Sequence, residues 1–573
     1  MTLDVAKLDR RYEALRDERS GWDAAWRDLA ELFSPTRWRS DTDEDEHKRP
    51  KINGRLLDGA GVLAMRTLAA GLQGGMTSPV RPWFRLKLAQ DREQEARGEG
   101  SGINAWLDET TERMRLLLHQ SNFYNEIHSL YSDLGTFGTG LMVETADENG
   151  LVFQRVPCGE YVLDIDGRGM PDSFFRRLNL TARQVLDLWP DAPEQVQSMA
   201  RNGAAAGGAI RLEVIHGVFP RKDRAWGKIV GARGKPYISV YWLRGVGGGG
   251  GKPSILSEGG YDMFPAFAPR WDIHPTDVYG RSPAMDVLPD ARMLQAMTET
   301  LRRTQHKLAD PPLLADADFR RYGVDASPGA LNFGSLRETQ GRPLVMPIQQ
   351  PDAGALQYGQ QAVDSVKASI ERGLYVDLFR MLLDDQRTQI TATEIQARQA
   401  EKMLLIGPVV ERLHSELLSP LIKRTYGLMA EWGALPEPPD GLSGVELDVE
   451  FESVLAQAQR LTATSSIDQG VAFLANLAAA APQALDVLDI DAVSRAYLDR
   501  IGIPQGCIAD EEDVKAAREA RAQQQAAEQQ AAELAAAGQA AQDFTGAARN
   551  LGQTPAGADG QTLMQTLLGG MGG

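Results

Sequence analysis

Large apolar residues recur every three to four positions over residues 5–33, at Leu8, Tyr12, Leu15, Trp22, Trp26, Leu29 and Phe33. That spacing predicts an amphipathic helix. A second helical stretch over 55–74 is rich in small residues, among them Gly59, Gly61, Ala64, Ala69 and Gly71, which suits close helix packing. Thr77-Ser-Pro-Val-Arg-Pro-Trp-Phe84 reads as a turn entering a strand, and 103–134 as helix again. Between about 141 and 280 the texture changes to short β-type runs separated by turn residues, as at 151–156, 210–215 and 237–242. A mixed region with an antiparallel sheet is expected there. The glycine run 247–251 is read as a loop between strands.

After 281 the period returns to that of a helix. Met285, Leu288, Ala291, Leu294, Met297 and Leu301 mark one helix over 283–308, which Pro311 and Pro312 end. Val363, Val366, Ile370, Leu374 and Phe379 mark another over 360–383, so two helices flank a compact insertion of Pro, Gly and Arg character. Further on, Thr391-Ala-Thr-Glu394 fits a capping box, and the apolar stripe behind it runs from Ile395 through Val410, Leu417 and Leu421 to Trp432. A helix of that length approaches about 60 Å. Gly407-Pro408 lies inside it and predicts a kink, since proline lacks an amide donor and crowds the preceding turn. Residues 436–444 read as a linker and 450–500 as helical. An Ala/Gln/Glu tract at 511–541 has high helix propensity, and the last thirty residues have the composition of a poorly ordered tail.

Composition narrows the function by exclusion. At 573 residues the chain exceeds one compact core, and three or more structural units are expected. No window approaches the apolar run of a membrane span, and the charged N-terminus lacks the h-region of a signal peptide, which predicts synthesis in a cytoplasm. Two distant cysteines, Cys158 and Cys507, make neither a disulfide framework nor a zinc ribbon. A net charge of −17 argues against a broad basic grip on nucleic acid. It is compatible with a wall along which DNA slides, because an acidic surface offers phosphates no deep minimum.

Few residues fall into a pattern that carries chemistry. Gly251-Lys252 and Gly234-Lys235 lack the first glycine and the final Ser/Thr of a phosphate-binding loop. The seven histidines show no metal-ligand spacing, and Asp164-Ile-Asp166 is read as a turn before Gly167. Gly280-Arg-Ser-Pro-Ala284 lacks the second glycine of a nucleophile elbow. No catalytic residue, metal site or cofactor is predicted. Arg320, Arg321, Arg337 and Arg342 form a basic cluster in the insertion 311–358, and the polar loop 384–390 carries Arg387.

Five blocks in order carry a resemblance. They are Gly71-Leu-Gln-Gly-Gly-Met-Thr-Ser-Pro79 with Trp83-Phe84, Asn122-Phe-Tyr124 to Gly140, Tyr279-Gly-Arg-Ser-Pro-Ala-Met-Asp-Val-Leu-Pro289, Pro311-Pro312, and Thr391-Ala-Thr-Glu394 with Arg398 and Glu401. Over roughly residues 8–432 the chain resembles the portal, or head-to-tail connector, proteins of short-tailed bacteriophages. The resemblance implies a mainly α fold with a mixed α+β wing. Residues 1–280 would be the wing, 281–310 and 359–383 the stem helices, 311–358 the clip and 384–390 the tunnel loop. The long kinked helix 391–435 would return to the wing, followed by a helical crown over 436–510 and a C-terminal helix and tail over 511–573. It further implies a homo-oligomeric ring, typically of twelve subunits, at one capsid vertex of the virion, assembled in the host cytoplasm. Double-stranded DNA would pass Gln386, Arg387, Thr388 and Gln389. The clip arginines would dock the terminase large subunit and later the tail adaptor, with the major capsid protein as a further partner and no membrane. Another virion or scaffold protein without a DNA channel is the alternative.

Overall fold

A computed structural model describes residues 3–38, 56–88, 100–148, 150–205, 210–222, 231–244, 254–309, 313–315, 345–347, 353–383, 406–439, 447–452, some positions between 470 and 477, 489–501 and 511–553. They fall into two compact units, one of Met1–Ile490 with Arg500–Gly502 and one of Asp491–Asp499 with Ile503–Gly573.

The first unit opens with α1 (Val5–Phe33), capped by Asp4, whose carboxylate accepts the amide of Lys7. Its apolar stripe is divided. Leu8 and Tyr12 pack on a five-stranded sheet, whereas Trp26, Leu29 and Phe33 enter the main core. α2 (Ala60–Met76) follows, and then β1 (Phe84–Leu88). The helix read over 103–134 is two, α3 (Gly100–Gln120) and α4 (Phe123–Phe137). The break at Ser121-Asn122 has a cause: the Asn122 amide accepts from the amide of Phe153 and donates to its carbonyl, like one more rung of a sheet edge.

Strands β2 (Leu141–Asp147), β3 (Gly150–Val156), β4 (Tyr161–Ile165) and β5 (Pro171–Thr181) come next. Two short helices, α5 (Ala182–Leu188) and α6 (Glu194–Ala205), separate them from β6 (Arg211–Pro220), β7 (Tyr237–Leu243), β8 (Ser254–Tyr261) and β9 (Ala266–Phe267). β4 to β8 form a five-stranded antiparallel meander, and β3-β2-β9 a second sheet. Alternation along β6 sorts its two faces. Leu212 and Val214 meet Val185 and Val196 of the α5–α6 pair, and Ile215 and Phe219 meet Tyr12 of α1.

The helix read over 283–308 also divides, into α7 (Pro283–Asp286) and α8 (Leu288–Ala309). α9 (Ala353–Gly373) packs along α8, and α10 (Val376–Leu383) continues from it after a break at Leu374-Tyr375. Tyr375 is the one non-glycine residue with positive φ, +57°, among those described. At the far end of the helix pair, β10 (Leu313–Ala315) and β11 (Val345–Pro347) lie antiparallel and bring the two ends of the insertion together. The rest of the insertion and residues 384–405 lie outside the described residues.

Residues 406–431 form a long helix, α11, interrupted by a π-helical turn at His414–Leu418. Gly407 and Pro408 open its described part, so the expected kink against 391–405 lies outside the described residues. The irregularity that is present has another source. Pro420 has no amide for the carbonyl of Glu416 and would crowd it in a regular turn, and the widened turn just ahead accommodates both problems.

The sequence predicts helix over 450–500; the described positions between 470 and 477 and residues 490–500 are helical, but Glu450 and Phe451 are not. Leu447–Phe451 is a strand, β12, paired antiparallel with β1 from Leu88 opposite Leu447 to Phe84 opposite Phe451. The alternation Leu-Asp-Val-Glu-Phe has the period of a strand, and Lys87 reinforces it with a 2.5 Å ion pair to Glu450. α12 (Ile490–Ile501), of which Asp491–Asp499 belongs to the second unit, precedes α13 (Glu511–Gln553), whose long Ala/Gln face is exposed and whose Leu534 is 74% exposed. Of the last thirty residues, expected to be poorly ordered, 544–553 continue α13 as helix, and those after 553 lie outside the described residues.

Candidate functional site: the joint at the foot of the helix pair

Three of the sequence blocks meet along α4. Gly138 ends α4 in the left-handed region at φ +80°, and a Cβ there would lie 2.3 Å from the carbonyl oxygen of Gly280. Only glycine combines that φ with so close a backbone approach. Around this crossing, the amide of Gly280 donates to Thr139 Oγ1 at 2.7 Å and Ser282 Oγ donates to the carbonyl of Thr136 at 2.8 Å. Ser282 also caps α7 by accepting the amide of Met285, which is the structural use of the serine in Gly280-Arg-Ser-Pro. At the other end of α4 the first block joins through Trp83, which stacks on Phe123 at 6.0 Å and donates to the hydroxyl of Tyr124. Gly71 lets Phe379 of α10 approach so closely that a Cβ would lie 2.1 Å from its ring.

The helix pair is tied to this joint by charged and polar contacts. The Gln295 side-chain oxygen of α8 accepts the amides of Leu57 and Asp58, and Lys367 of α9 pairs with Asp58 at 2.8 Å. Asp58 sits below the ordinary carboxylate range: burial pushes it up, but Lys367 and the amide of Ala60 outweigh that. Beside them a cleft of about 230 Å³ is lined by Asp28, Glu31, Leu32, Leu56, Arg292 and Gln295. Within this lining Arg292 makes an exposed ion pair with Asp28.

α11 is held by two buried ion pairs that sequence spacing did not single out. Arg270 meets Glu416 with Nη2 at 2.8 Å and Nε at 3.1 Å, while its own backbone amide donates to the same carboxylate. The two side chains are 2% and 6% exposed. Two turns on, Arg424 lies 3.2 Å from Glu144, which also accepts Thr425 Oγ1 at 2.9 Å. Burial pushes the Glu144 carboxyl up to about 7, against the pull of Arg424 and Thr425. A signal for both pairs was present in the sequence. Glu416 and Arg424 share the helical spacing of Leu413, Leu417 and Leu421, and a charge on such a stripe needs a partner in the core.

Other candidate chemistry has structural employment. Asp164 pairs with Arg11 at 2.6 Å, and Asp166 accepts the amides of Arg168 and Met170 in a turn. Burial raises the Cys158 thiol well above its ordinary range, which makes it unreactive. Among the described residues no cluster of His, Cys, Asp or Glu could hold a metal ion, and no helix is long and apolar enough to cross a membrane. Gln386, Arg387, Thr388, Gln389, Thr391 and Glu394, and the arginines at 320, 321, 337 and 342, lie outside the described residues.

A sequence profile described as bacteriophage head to tail connecting protein matches residues 5–508. The chain belongs to this connector family. Among curated connector relatives it is 35% identical over 520 residues to the probable portal protein of Bordetella phage BPP-1, covering 90% of each chain. It is 33% identical over 525 residues to the portal protein of Salmonella phage epsilon15, covering 90% of this chain and 91% of that one. A solved structure titled as the neck of an empty GTA particle matches at 13% identity and a TM-score of 0.32, over 72% of this chain and 87% of the other. The connector family assignment spans the sequence blocks, the joint and both limbs of the helix pair.

Proposed function

We propose that this chain is the portal subunit of a short-tailed phage, forming a ring with an axial channel at one capsid vertex through which double-stranded DNA is packaged and ejected. The observation that carries this reading is similarity to two phage portal proteins over nine-tenths of the chain. The fold supports it: two helices project from a stitched joint and end in an insertion whose ends pair as β10 and β11. In this reading 1–280 is the wing, and 281–310 and 359–383 are the stem helices. Residues 311–358, with Arg320, Arg321, Arg337 and Arg342, form the clip that docks the terminase large subunit and then the tail adaptor. Gln386 to Gln389 line the narrowest part of the channel, and the major capsid protein surrounds the wing. The terminase supplies ATP hydrolysis. The net charge of −17 suits a conduit that does not trap phosphates.

Electron microscopy of the purified full-length chain tests the proposal. Closed rings, typically of twelve subunits, with an open axial channel are expected. Monomers or channel-free assemblies under conditions that keep the chain folded would sink it.

A further inference from the structure

α10 and α11 are neighbours in the chain's path, since residues 384–405 lead from one to the other. Each is fastened to the same three residues, Arg270-Trp271-Asp272. On the incoming side, the ring of Tyr375, the residue just before α10, packs on Trp271 with centroids 5.9 Å apart. On the outgoing side, Arg412 donates to the Trp271 carbonyl at 2.7 Å and reaches Asp272 at 3.4 Å. One turn further on, Glu416 grips both the amide and the guanidinium of Arg270. The tripeptide is itself pinned from behind: the amide of Trp271 donates to the carbonyl of Gly138, and Asp272 pairs with Arg281 through two backbone hydrogen bonds.

Tyr375 holds φ +57°, a conformation that a bulky residue keeps only where its surroundings impose it. Its ring lies against Trp271, and its carbonyl accepts the amides of Leu378 and Phe379 in α10, where Phe379 fills the space left by Gly71. A shift of Trp271 would let Tyr375 relax and re-aim α10. The Trp271 carbonyl is what Arg412 holds.

We propose that Arg270-Trp271-Asp272 is a shared anchor that couples the two limbs, with Arg412 and Tyr375 as positioning residues acting through Trp271. Its bearing on a DNA channel rests on the proposed function, because the residues between the limbs are those assigned to the channel. The coupling itself does not rest on it.

Hydrogen–deuterium exchange on the purified full-length chain tests this. Arg412→Ala is expected to speed exchange of amides in 376–383 by about fivefold or more, as well as in 406–418. Arg412→Lys, which can still donate to the Trp271 carbonyl, is expected to restore protection in 376–383. Tyr375→Asn tolerates the left-handed backbone and removes the ring, and is expected to speed exchange in 406–418, since coupling is reciprocal. Changes confined to the mutated limb in either variant would overturn the proposal, as would Arg412→Lys behaving like Arg412→Ala. If Arg412→Ala does not fold, Tyr375→Asn decides alone. Cross-limb exchange in a preparation that never forms rings would overturn the channel reading and leave the anchor standing.

Discussion

His216 shows how one buried side chain can set an acid limit. Its Nδ1 accepts Arg176 Nε at 3.1 Å, its Nε2 meets Ser239 Oγ at 3.0 Å, and its ring stacks on Tyr241 at 4.0 Å. Burial, and then the nearby Arg176 charge, hold it well below the ordinary histidine range. The folded state therefore refuses a proton that the unfolded chain accepts below pH ~6.5. Stability from this site is present above that pH and is lost as pH falls through it, by at most about 1.4 kcal/mol per pH unit. His216→Gln keeps an acceptor and a donor but does not titrate. Urea unfolding at pH 7.5, 6.5 and 5.5 should show a shallower acid decline in the variant, and parallel declines would refute the assignment. None of this was readable in the sequence, where His216 stands among strand residues with no partner at a fixed spacing. Arg176 reaches it only through the pairing of β5 with β6, which sets the two residues directly opposite one another.

Among the elements, α11 depends on a pairing that costs more to break than to lack. Glu416→Ala would leave the Arg270 guanidinium buried without its counter-charge and the Arg270 amide without its acceptor. A loss of about 3–5 kcal/mol is expected, read as a lower denaturation midpoint with an unchanged slope. A loss below about 1 kcal/mol would mean that the pair behaves as an exposed one. The long amphipathic helices were legible because burial of one face dictates their period, as with Trp26, Leu29 and Phe33 in α1. Their interruptions were not. Asn122, Val287 and Tyr375 break apolar periods that run through them, and each meets a residue far off in sequence: Phe153 of β3, Gly373 of α9 and Trp271. β12 was missed because its five-residue alternation is stabilised by β1, far away in sequence.

At the scale of the whole chain, the two units carry separate internal packing. α13 presents its side chains to solvent, and the Arg518–Asp491 pair that joins it to α12 lies at an exposed surface. Truncation after Gly502, which removes α13 and the rest of the second unit beyond Asp499, is therefore expected to leave the melting temperature of the first unit within about 2 °C of full length. Scanning calorimetry checks this, and a fall of many degrees would show that the first unit leans on the second. The family blocks were legible in order along the sequence, and three of them proved to be a single joint. What order could not reveal is that Gly138 and Gly280, 142 positions apart by their numbers, are backbone against backbone.

The pairing of β1 with β12 also has a consequence in time. The two strands are separated by roughly 360 residues of chain, so a ribosome releases Phe84–Leu88 long before its partner exists. Through that interval an apolar strand with an open edge waits, a state prone to sticking to other chains. The last rung also arrives only after both limbs of the helix pair have been made. Closing it buries Phe84 and Leu86 and locks the excursion between them into a loop with fixed ends. Synthesis thus ends this part of the molecule with a clasp, and a nascent chain stopped short of Leu447 keeps its clasp open.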